Sequence, residues 1–315
     1  YGSSVDIGTL DNLRIVLDPI GQAGVSLALM LVMFSVALGL RVEDFSFLRD
    51  KPALFLGGVF VQVVVLPLVT FVLILAMRPA ASVALGMIVV ACCPGGAVSN
   101  LLTYLSRGNV AASVALTATS SLFAAVLTPA SILVWSHAYA PTADLLRTLD
   151  VSPIPFLLQT TLLLALPLFC GMIVAARAPD LAASIRKRTT VLGVSVLVGV
   201  IIYGIAYFFP VLLPVLSVLG MIVLAHNALA FATGAAAGFV LSRLSATRRA
   251  LTFEIGIQNS GLALVILLSQ LEGLGGTAAI AALWGVWHLI AGGLLASVFR
   301  FADRITKPEY DVERA

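Results

Sequence analysis

The sequence predicts an all-α polytopic membrane protein with about nine transmembrane helices. Its 315 residues are 60% hydrophobic and only 10% charged, and the mean hydropathy is +1.10. Soluble domains contain roughly 45–50% apolar and about 25% charged residues, so the composition excludes a soluble globular protein. Disordered chains are poor in apolar residues and are excluded as well. The formal net charge of +3 gives no basic footprint for nucleic acid.

Nine apolar segments are long enough to cross a bilayer, which takes roughly 20 helical residues. They are long and continuously apolar, unlike the short alternating strands of a membrane barrel. None of them contains Lys or Arg. The predicted spans are residues 21–40, 53–77, 80–106, 110–135, 154–176, 189–209, 211–241, 250–270 and 276–299. The connecting segment 136–153 can be either a loop or an interfacial helix.

The distribution of Lys and Arg predicts the orientation, because cytoplasmic loops carry the excess of basic residues. If the N-terminus lies outside, 15 of the 18 Lys and Arg fall in cytoplasmic segments. Only Arg14, Arg78 and Arg147 remain outside. We therefore expect an external N-terminus and a cytoplasmic C-terminus in a bacterial inner membrane.

The third and eighth spans contain breaks. Pro94, Gly95 and Gly96 cannot continue an ordinary helix, and residues 254–261 place polar residues and glycines at membrane depth. Irregular backbone survives there only where protein or a watery cavity satisfies it. The two spans are five apart, which inverts one relative to the other, so we expect inverted halves at about 21–135 and 154–299. Paired broken helices indicate the binding site of a secondary transporter.

Glu254 is the one acidic residue inside the predicted spans. A charge at the bilayer centre costs at least about 2.5–3.5 kcal/mol, and no Lys or Arg lies at that depth. Glu254 must therefore be protonated or compensated by a bound cation. The broken spans and their neighbours supply hydroxyl, amide and carbonyl oxygens, which suit a hard cation such as sodium. These oxygens come from Gln62, Ser99, Asn100, Ser113 and Thr117.

The helical halves that follow the breaks start near Ala97 and Ser260, and helix N-termini favour anions. Asn259 lies at one of them, and His288 in the last span is a second possible polar contact. The pair His226–Asn227 in the seventh span is more simply explained as packing between helices.

Three motifs resemble the bile acid:sodium symporter family. They are CCPGGAVSN at residues 92–100 with TYLSRGN at 103–109, EIGIQNSGLA at 254–263, and VWH at 286–288. The resemblance covers about residues 31–299. It implies a core domain, in which the two discontinuous helices cross, and a panel domain.

The resemblance also implies two sodium sites and an organic-anion substrate. Carried over by motif, the first sodium site comprises Ser99, Asn100, Ser113, Thr117 and Glu254. The second comprises Gln62, Glu254 and Gln258, with main-chain carbonyls of Ile255 and Ile257. The substrate would lie beside the crossing, near Asn259, His288, Ala97, Val98 and Ser260.

Two departures from the family pattern concern the substrate. Bacterial relatives often have Thr in place of Ala97 and Asn in place of Leu289, so this chain loses hydrogen-bonding capacity there. A bile acid is therefore not implied, since the family also transports small carboxylates such as pantoate and keto acids. The co-transported Na⁺ is the expected cofactor, without an organic one. The expected partners are the anion and membrane lipid, and the sequence is compatible with a monomer.

We expect one transporter domain over residues 1–315, with a flexible polar tail at 300–315, that imports an organic anion with sodium. One alternative is a proton-coupled or uncoupled anion carrier in which Glu254 is protonated. The other is an intramembrane enzyme with Cys92 or Cys93 as nucleophile and His226 or His288 as base. No activating arrangement for these cysteines is visible in the sequence.

Overall fold

A computed structural model describes residues 11, 19–40, 49–271 and 273–305. Within these ranges the chain is mainly helical, and an antiparallel bridge pairs Gly95 with Gln258. The expectations for the first ten residues and for the end of the predicted tail lie outside the described residues.

The described part of the chain forms twelve helices, which we number in chain order. Helix α2 contains one π-helical turn at Val61–Val65, and a short 3-10 turn at Leu213–Val215 precedes α9. The helices are α1 (Pro19–Ala37), α2 (Pro52–Met77), α3 (Ala81–Cys92), α4 (Val98–Leu105), α5 (Val110–Ala138), α6 (Ala140–Thr148), α7 (Pro153–Arg177), α8 (Pro179–Leu212), α9 (Leu216–Leu241), α10 (Ser245–Gly256), α11 (Ser260–Gln270) and α12 (Gly275–Ile305).

Each predicted span coincides with a helix or a pair of helices, which confirms the all-α polytopic fold. The third span is divided into α3 and α4, and the eighth into α10 and α11. Among the described residues, five segments are long and apolar enough to cross a membrane: α2, α5, α7, α9 with its preceding 3-10 turn, and α12. Helices α3 and α11 are apolar but shorter, because each is only half of a broken span. The segment 136–153 contains the short helix α6, which packs on α3 and α5.

The predicted tail does not begin at residue 300, because α12 continues as helix to Ile305. Asp303 in this extension accepts a hydrogen bond from the Arg249 guanidinium at 2.8 Å, which ties the end of α12 to α10. Residues 300–305 are therefore helical, and the flexibility of the tail stays a prediction.

The exposed surface of α2 is apolar along the helix. Large apolar side chains about every four residues are 45–58% exposed on one stripe of the helix. A helix of a soluble protein would carry polar residues there, so this stripe is suited to lipid tails. Its members are Leu56, Phe60, Leu68, Val72 and Leu75.

The helices pack in two groups. Helices α1, α7 and α8 contact one another and form the panel group, while α2–α5 and α9–α12 form the core group. The main contacts between the groups are those of α1 with α11 and of α5 with α7. Helices α9 and α10 share a close interface in the core group, where glycines such as Gly234 bring the backbones together: a Cβ there would lie 2.8 Å from the Leu251 carbonyl oxygen. Both broken spans belong to the core group.

Candidate functional site

The two breaks cross each other at an antiparallel β-bridge between Gly95 and Gln258. The Gly96 amide donates to the Ile257 carbonyl at 3.1 Å, and the Asn259 amide donates to the Pro94 carbonyl at 2.9 Å. Buried backbone groups must be paired, and here each break satisfies part of the other. The crossing is therefore a joint structure of both spans.

The first break begins at Pro94, whose ring removes the backbone donor that would continue helix α3. The carbonyls just before it are held by side chains of other helices. Thr128 Oγ1 donates to the Cys92 carbonyl at 2.9 Å, and Gln62 Nε2 donates to the Cys93 carbonyl at 2.7 Å. Helices α5 and α2 thus fix the end of α3.

The π turn of α2 places Gln62 at the crossing. Pro67 lacks an N–H group, so it cannot bond the carbonyl four residues earlier, that of Val63. Ser131 Oγ of α5 donates to that carbonyl at 3.3 Å. Gln62 Nε2 also donates to Gln258 Oε1 at 2.8 Å. Single π turns occur frequently at functional sites, and this one delivers a side-chain amide to both breaks.

The Glu254 carboxylate lies beside the crossing and is 3% exposed. Ser99 and Thr117 donate to its Oε2 atom at 2.8 and 2.7 Å, and Ser120 donates to its Oε1 atom at 3.0 Å. A Cβ atom added to Gly95 would lie 2.1 Å from Oε1. The carboxylate therefore occupies space that only a glycine leaves open, and its described side-chain partners are hydroxyl groups.

The hydroxyl network continues away from the carboxylate. Ser113 Oγ donates to Asn100 Oδ1 at 2.8 Å, and Thr117 Oγ1 lies 3.2 Å from the same oxygen. All five residues predicted for the first sodium site therefore belong to one hydrogen-bonded network. They come from three helices, α4, α5 and α10.

Hydrogen bonds also link residues predicted for the second site. Gln258 Nε2 donates to the Ile255 carbonyl at 2.6 Å and faces Gln62. The Ile257 carbonyl accepts the Gly96 amide. A small cavity opens beside Gln62 and Ser120, and its other lining residues are Val59, Val63, Cys92, Pro94, Ala124 and Thr128.

The candidate substrate residues lie at the starts of α4 and α11 and on α12. Asn259 Oδ1 accepts the Leu262 amide at 3.0 Å and so caps α11. A Cβ on Gly285 would lie 2.9 Å from Ser260 Oγ, so Ser260 faces α12. His288 is buried, its ring stacks on Trp284, and its Nδ1 lies 2.6 Å from the Trp284 carbonyl.

Ala97 and Val98 differ from these residues in being exposed at the start of α4. Ala97 occupies the N-cap position without a side-chain cap. The two helix starts that the sequence predicts as anion sites therefore differ in whether a side chain already bonds their amides.

Sequence reasoning missed three residues of α5 that contact the site: Ser120, Thr128 and Ser131. Together with Ser113 and Thr117 they follow a spacing of four, three, eight and three residues, which keeps all five on one helix face. That periodicity was visible in the sequence. The polar stripe runs along the side of α5 that faces both breaks.

The residues of the enzyme alternative bond to other groups. Ser131 Oγ lies 3.2 Å from Cys92 Sγ, and the carbonyl of buried Cys93 is held by Gln62. His226 Nε2 lies 2.9 Å from Thr70 Oγ1. The contacts described for these residues contain no Cys–His pair that would activate a thiol.

The oxygen-rich site is suited to a hard monovalent cation. The described residues contain no group of three or more His, Cys, Asp and Glu that could hold a metal ion, whereas transition metals prefer such ligands. One carboxylate surrounded by hydroxyls and amides matches the oxygen ligands that hard cations take.

Comparisons with known proteins agree with the resemblance in the motifs. The sequence profile described as the sodium bile acid symporter family matches residues 26–239. A Bacillus subtilis protein described as an uncharacterized sodium-dependent transporter is 30% identical over 87% of this chain and 82% of its own length. The human ileal sodium/bile acid cotransporter is 26% identical over 81% of this chain and 72% of its own length.

A plant protein is similar to a comparable share of the chain. The Arabidopsis thaliana protein described as a probable chloroplastic sodium/metabolite cotransporter is 28% identical over 86% of this chain. The match covers 65% of that longer protein. The three relatives are thus described as transporters that use sodium, and their descriptions differ in the transported compound.

Proposed function

Because the chain belongs to the sodium bile acid symporter family, we propose that it is a sodium-coupled symporter that imports an organic anion by alternating access. The observation that carries this proposal is the buried Glu254 carboxylate at the crossing, bonded by three hydroxyls. An uncompensated charge at membrane depth is costly. A cation that binds beside this carboxylate removes that cost.

Two sodium ions would share Glu254. The first would take oxygens from the network of α4, α5 and α10, and the second would lie towards the two glutamines. Hydroxyl groups can rotate, since each has one proton and two acceptor positions. Those that donate to the carboxylate can turn their lone pairs to an arriving cation. The first site comprises Ser99, Asn100, Ser113, Thr117 and Glu254, and the second comprises Gln62, Glu254, Gln258 and the carbonyls of Ile255 and Ile257.

The substrate would be a bile acid-like compound or a small carboxylate such as pantoate or a keto acid. Its anionic group would lie near the starts of α4 and α11, where helix N-termini favour negative charge. The proposed contacts are Asn259, His288, Ala97, Val98 and Ser260. The apolar side chains at Ala97, Val98 and Leu289 favour an apolar body in the substrate.

Coupling follows from the shared backbone of the crossing. Sodium at Glu254 would order the two breaks, and the same breaks carry the helix starts that face the anion. A ligand shifts a conformational equilibrium only by its differential affinity for the two states. Sodium and anion would therefore favour the same conformational state. Movement of the core group against the panel group would expose the binding site alternately to the two sides of the membrane. The distribution of basic residues orients the protein in a bacterial inner membrane with its N-terminus outside. Import would then run towards the cytoplasm.

Uptake into proteoliposomes tests this function. We expect taurocholate, pantoate or pyruvate to accumulate under an inward sodium gradient and not under a matched potassium gradient. Replacing Glu254 by Gln should lower sodium-dependent uptake by about 100-fold or more, since it removes the charge that holds the cation. Asp144→Asn is the matched control, because Asp144 forms an exposed pair with Arg147 far along the chain from the breaks.

Two results would contradict the proposal. Sodium-dependent uptake by Glu254→Gln equal to that of the parent would remove Glu254 from the mechanism. Uptake driven by a pH gradient in sodium-free buffer would instead indicate a proton-coupled carrier.

A further inference from the structure

Ser120 contacts the Glu254 carboxylate on the side that the other hydroxyls do not use. Ser99 and Thr117 both donate to Oε2, whereas Ser120 donates to Oε1 at 3.0 Å. Neither of the proposed sodium sites includes Ser120. Its side chain also lines the cavity that contains Gln62.

The carboxylate needs support on both oxygens to face two cations at once. The terminal torsion of a glutamate is broad and soft, so hydrogen bonds decide how the carboxylate is turned. Oε2 is held by two hydroxyls, while Ser120 is the one side-chain donor described for Oε1. Oε1 is the oxygen that would touch a Cβ at Gly95, so it is also the one directed at the first break.

The Ser120 hydroxyl has a second acceptor in its own helix. Its Oγ atom lies 3.2 Å from the Thr117 carbonyl and 3.0 Å from Glu254 Oε1. A single hydroxyl proton can serve either acceptor, and back-bonding of a helical serine to an earlier carbonyl is common. The contact with Oε1 is the shorter of the two, so the proton is available to hold the carboxylate.

We propose that Ser120 is a positioning residue that holds Glu254 Oε1 towards the second sodium site, so that binding of two sodium ions to one carboxylate depends on its hydroxyl. The inference rests on the proposed function. It predicts that loss of this hydroxyl weakens binding of the second sodium ion. Binding of the first should be unchanged, because the partners of Oε2 are unchanged.

Equilibrium binding of radioactive sodium to the purified full chain tests the inference. Ser120→Ala should raise the sodium midpoint of the second site by about tenfold, as expected for a lost hydrogen bond to a charged group. The Hill coefficient should fall from above one towards one, since cooperativity requires both sites. Ser120→Thr, which keeps the hydroxyl, should restore the parental curve.

The matched control is Ser121→Ala. Ser121 is the next residue of α5 and is rotated by about 100° around the helix axis, away from the face that carries Ser120. A purely structural role of Ser120 would lower the melting temperature and leave the shape of the sodium curve unchanged. The Hill coefficient therefore separates positioning from packing.

A parental sodium curve for Ser120→Ala would overturn the inference, and so would a Ser120→Thr curve as shallow as that of Ser120→Ala. Saturable binding of radioactive sodium to the parent protein is measured first. If the parent binds no sodium, the proposed function fails and this inference fails with it. If only the Ser120 variants disagree, the proposed function stands and the role of Ser120 is wrong.

Discussion

The two breaks at the crossing differ in how they are made. The first has Pro94, Gly95 and Gly96 in sequence, and a proline ends α3 by removing a backbone donor. The second, between Gly256 and Asn259, contains no proline. Its helix α10 ends where the backbone turns extended and pairs with the first break.

The helix halves that follow the breaks also differ. Helix α11 starts with a side-chain cap, because Asn259 Oδ1 accepts the Leu262 amide. Helix α4 starts at Ala97 without one. On the other side of the breaks, the Gly256 carbonyl at the end of α10 accepts from Asn227 Nδ2 at 3.0 Å, whereas the end of α3 relies on Thr128 and Gln62.

The comparison indicates that the first break is dictated by its own residues and the second by its partner. Local sequence strongly favours the end of α3, since a proline followed by two glycines opposes a helix more than the lone Pro129 that α5 accommodates. The second break is completed by its pairing with the first: the Ile257 carbonyl accepts from the Gly96 amide, and the Asn259 amide donates to the Pro94 carbonyl. Changes at the first break that displace the Glu254 carboxylate should therefore damage the whole site, whereas changes at the second should have smaller and more local effects.

The largest effect is expected for Gly95→Ala. The new Cβ would lie 2.1 Å from Glu254 Oε1 and 2.9 Å from the Glu254 carbonyl oxygen, so the carboxylate must move. We expect sodium-dependent uptake to fall by about 100-fold, comparable to losing the charge itself. Because the Glu254 carbonyl oxygen is also closer than 3.0 Å, the backbone must shift as well, and some loss of stability should accompany the loss of uptake. Uptake and size-exclusion elution measure the two consequences separately.

Gly96→Ala is the matched control for this change. The nearest atom to its added Cβ would be the Gln258 carbonyl oxygen at 3.5 Å, which is an ordinary contact. Nearly parental uptake is expected from Gly96→Ala. An equal loss of uptake in both variants would mean that the two glycines are needed for their backbone freedom. The steric explanation for Gly95 would then be wrong.

Much of the fold and part of the site were predictable because their causes are local. A run of 20 apolar residues has to be buried in lipid as helix, and Pro94 has to interrupt it. Glu254 stood out because it is the one acid in such a run. The end of α12 was not predictable, because its contact is not local. The helix extends to Ile305, where Asp303 bonds Arg249, a residue distant in sequence.

The hydroxyls of α5 and the π turn of α2 have causes that a local pattern does not contain. Serine and threonine in a membrane helix often bond only their own backbone, so Ser120 and Thr128 could not be assigned to the site before the facing helices were known. The π turn at Val61–Val65 depends on Pro67 and on Ser131 from another helix. Register and facing partners decide both features.

A smaller effect is expected for Thr128→Val, which removes the hydroxyl that holds the Cys92 carbonyl at the first break. A buried carbonyl left without its partner costs about 1–3 kcal/mol, and this should lower the melting temperature of the purified protein. Thr119→Val is the matched control on the same helix. Its hydroxyl bonds the Ala115 carbonyl of its own turn, which keeps its helical N–H partner after the change.

The result is read from the difference between the two threonine variants. A lower melting temperature for Thr128→Val alone supports the view that α5 secures the end of α3. If both variants lose the same stability, the loss belongs to replacing a buried threonine in α5 and not to the break.

The smallest effect is expected at the second break, where Asn259→Ala removes the cap of α11. Loss of an asparagine cap costs typically about 1 kcal/mol, and Asn259→Ser should regain most of it, because serine also accepts from the helix amides. Uptake separates this structural role from contact with the anion. If Asn259 acts only as a cap, the Ser variant recovers both melting temperature and KM. If it also binds the substrate, the Ser variant recovers stability while KM stays raised, because the shorter side chain no longer reaches the anion. Equal melting temperatures for the parent and Asn259→Ala would remove the asymmetry between the two helix starts, since α11 would then need its cap no more than α4 does.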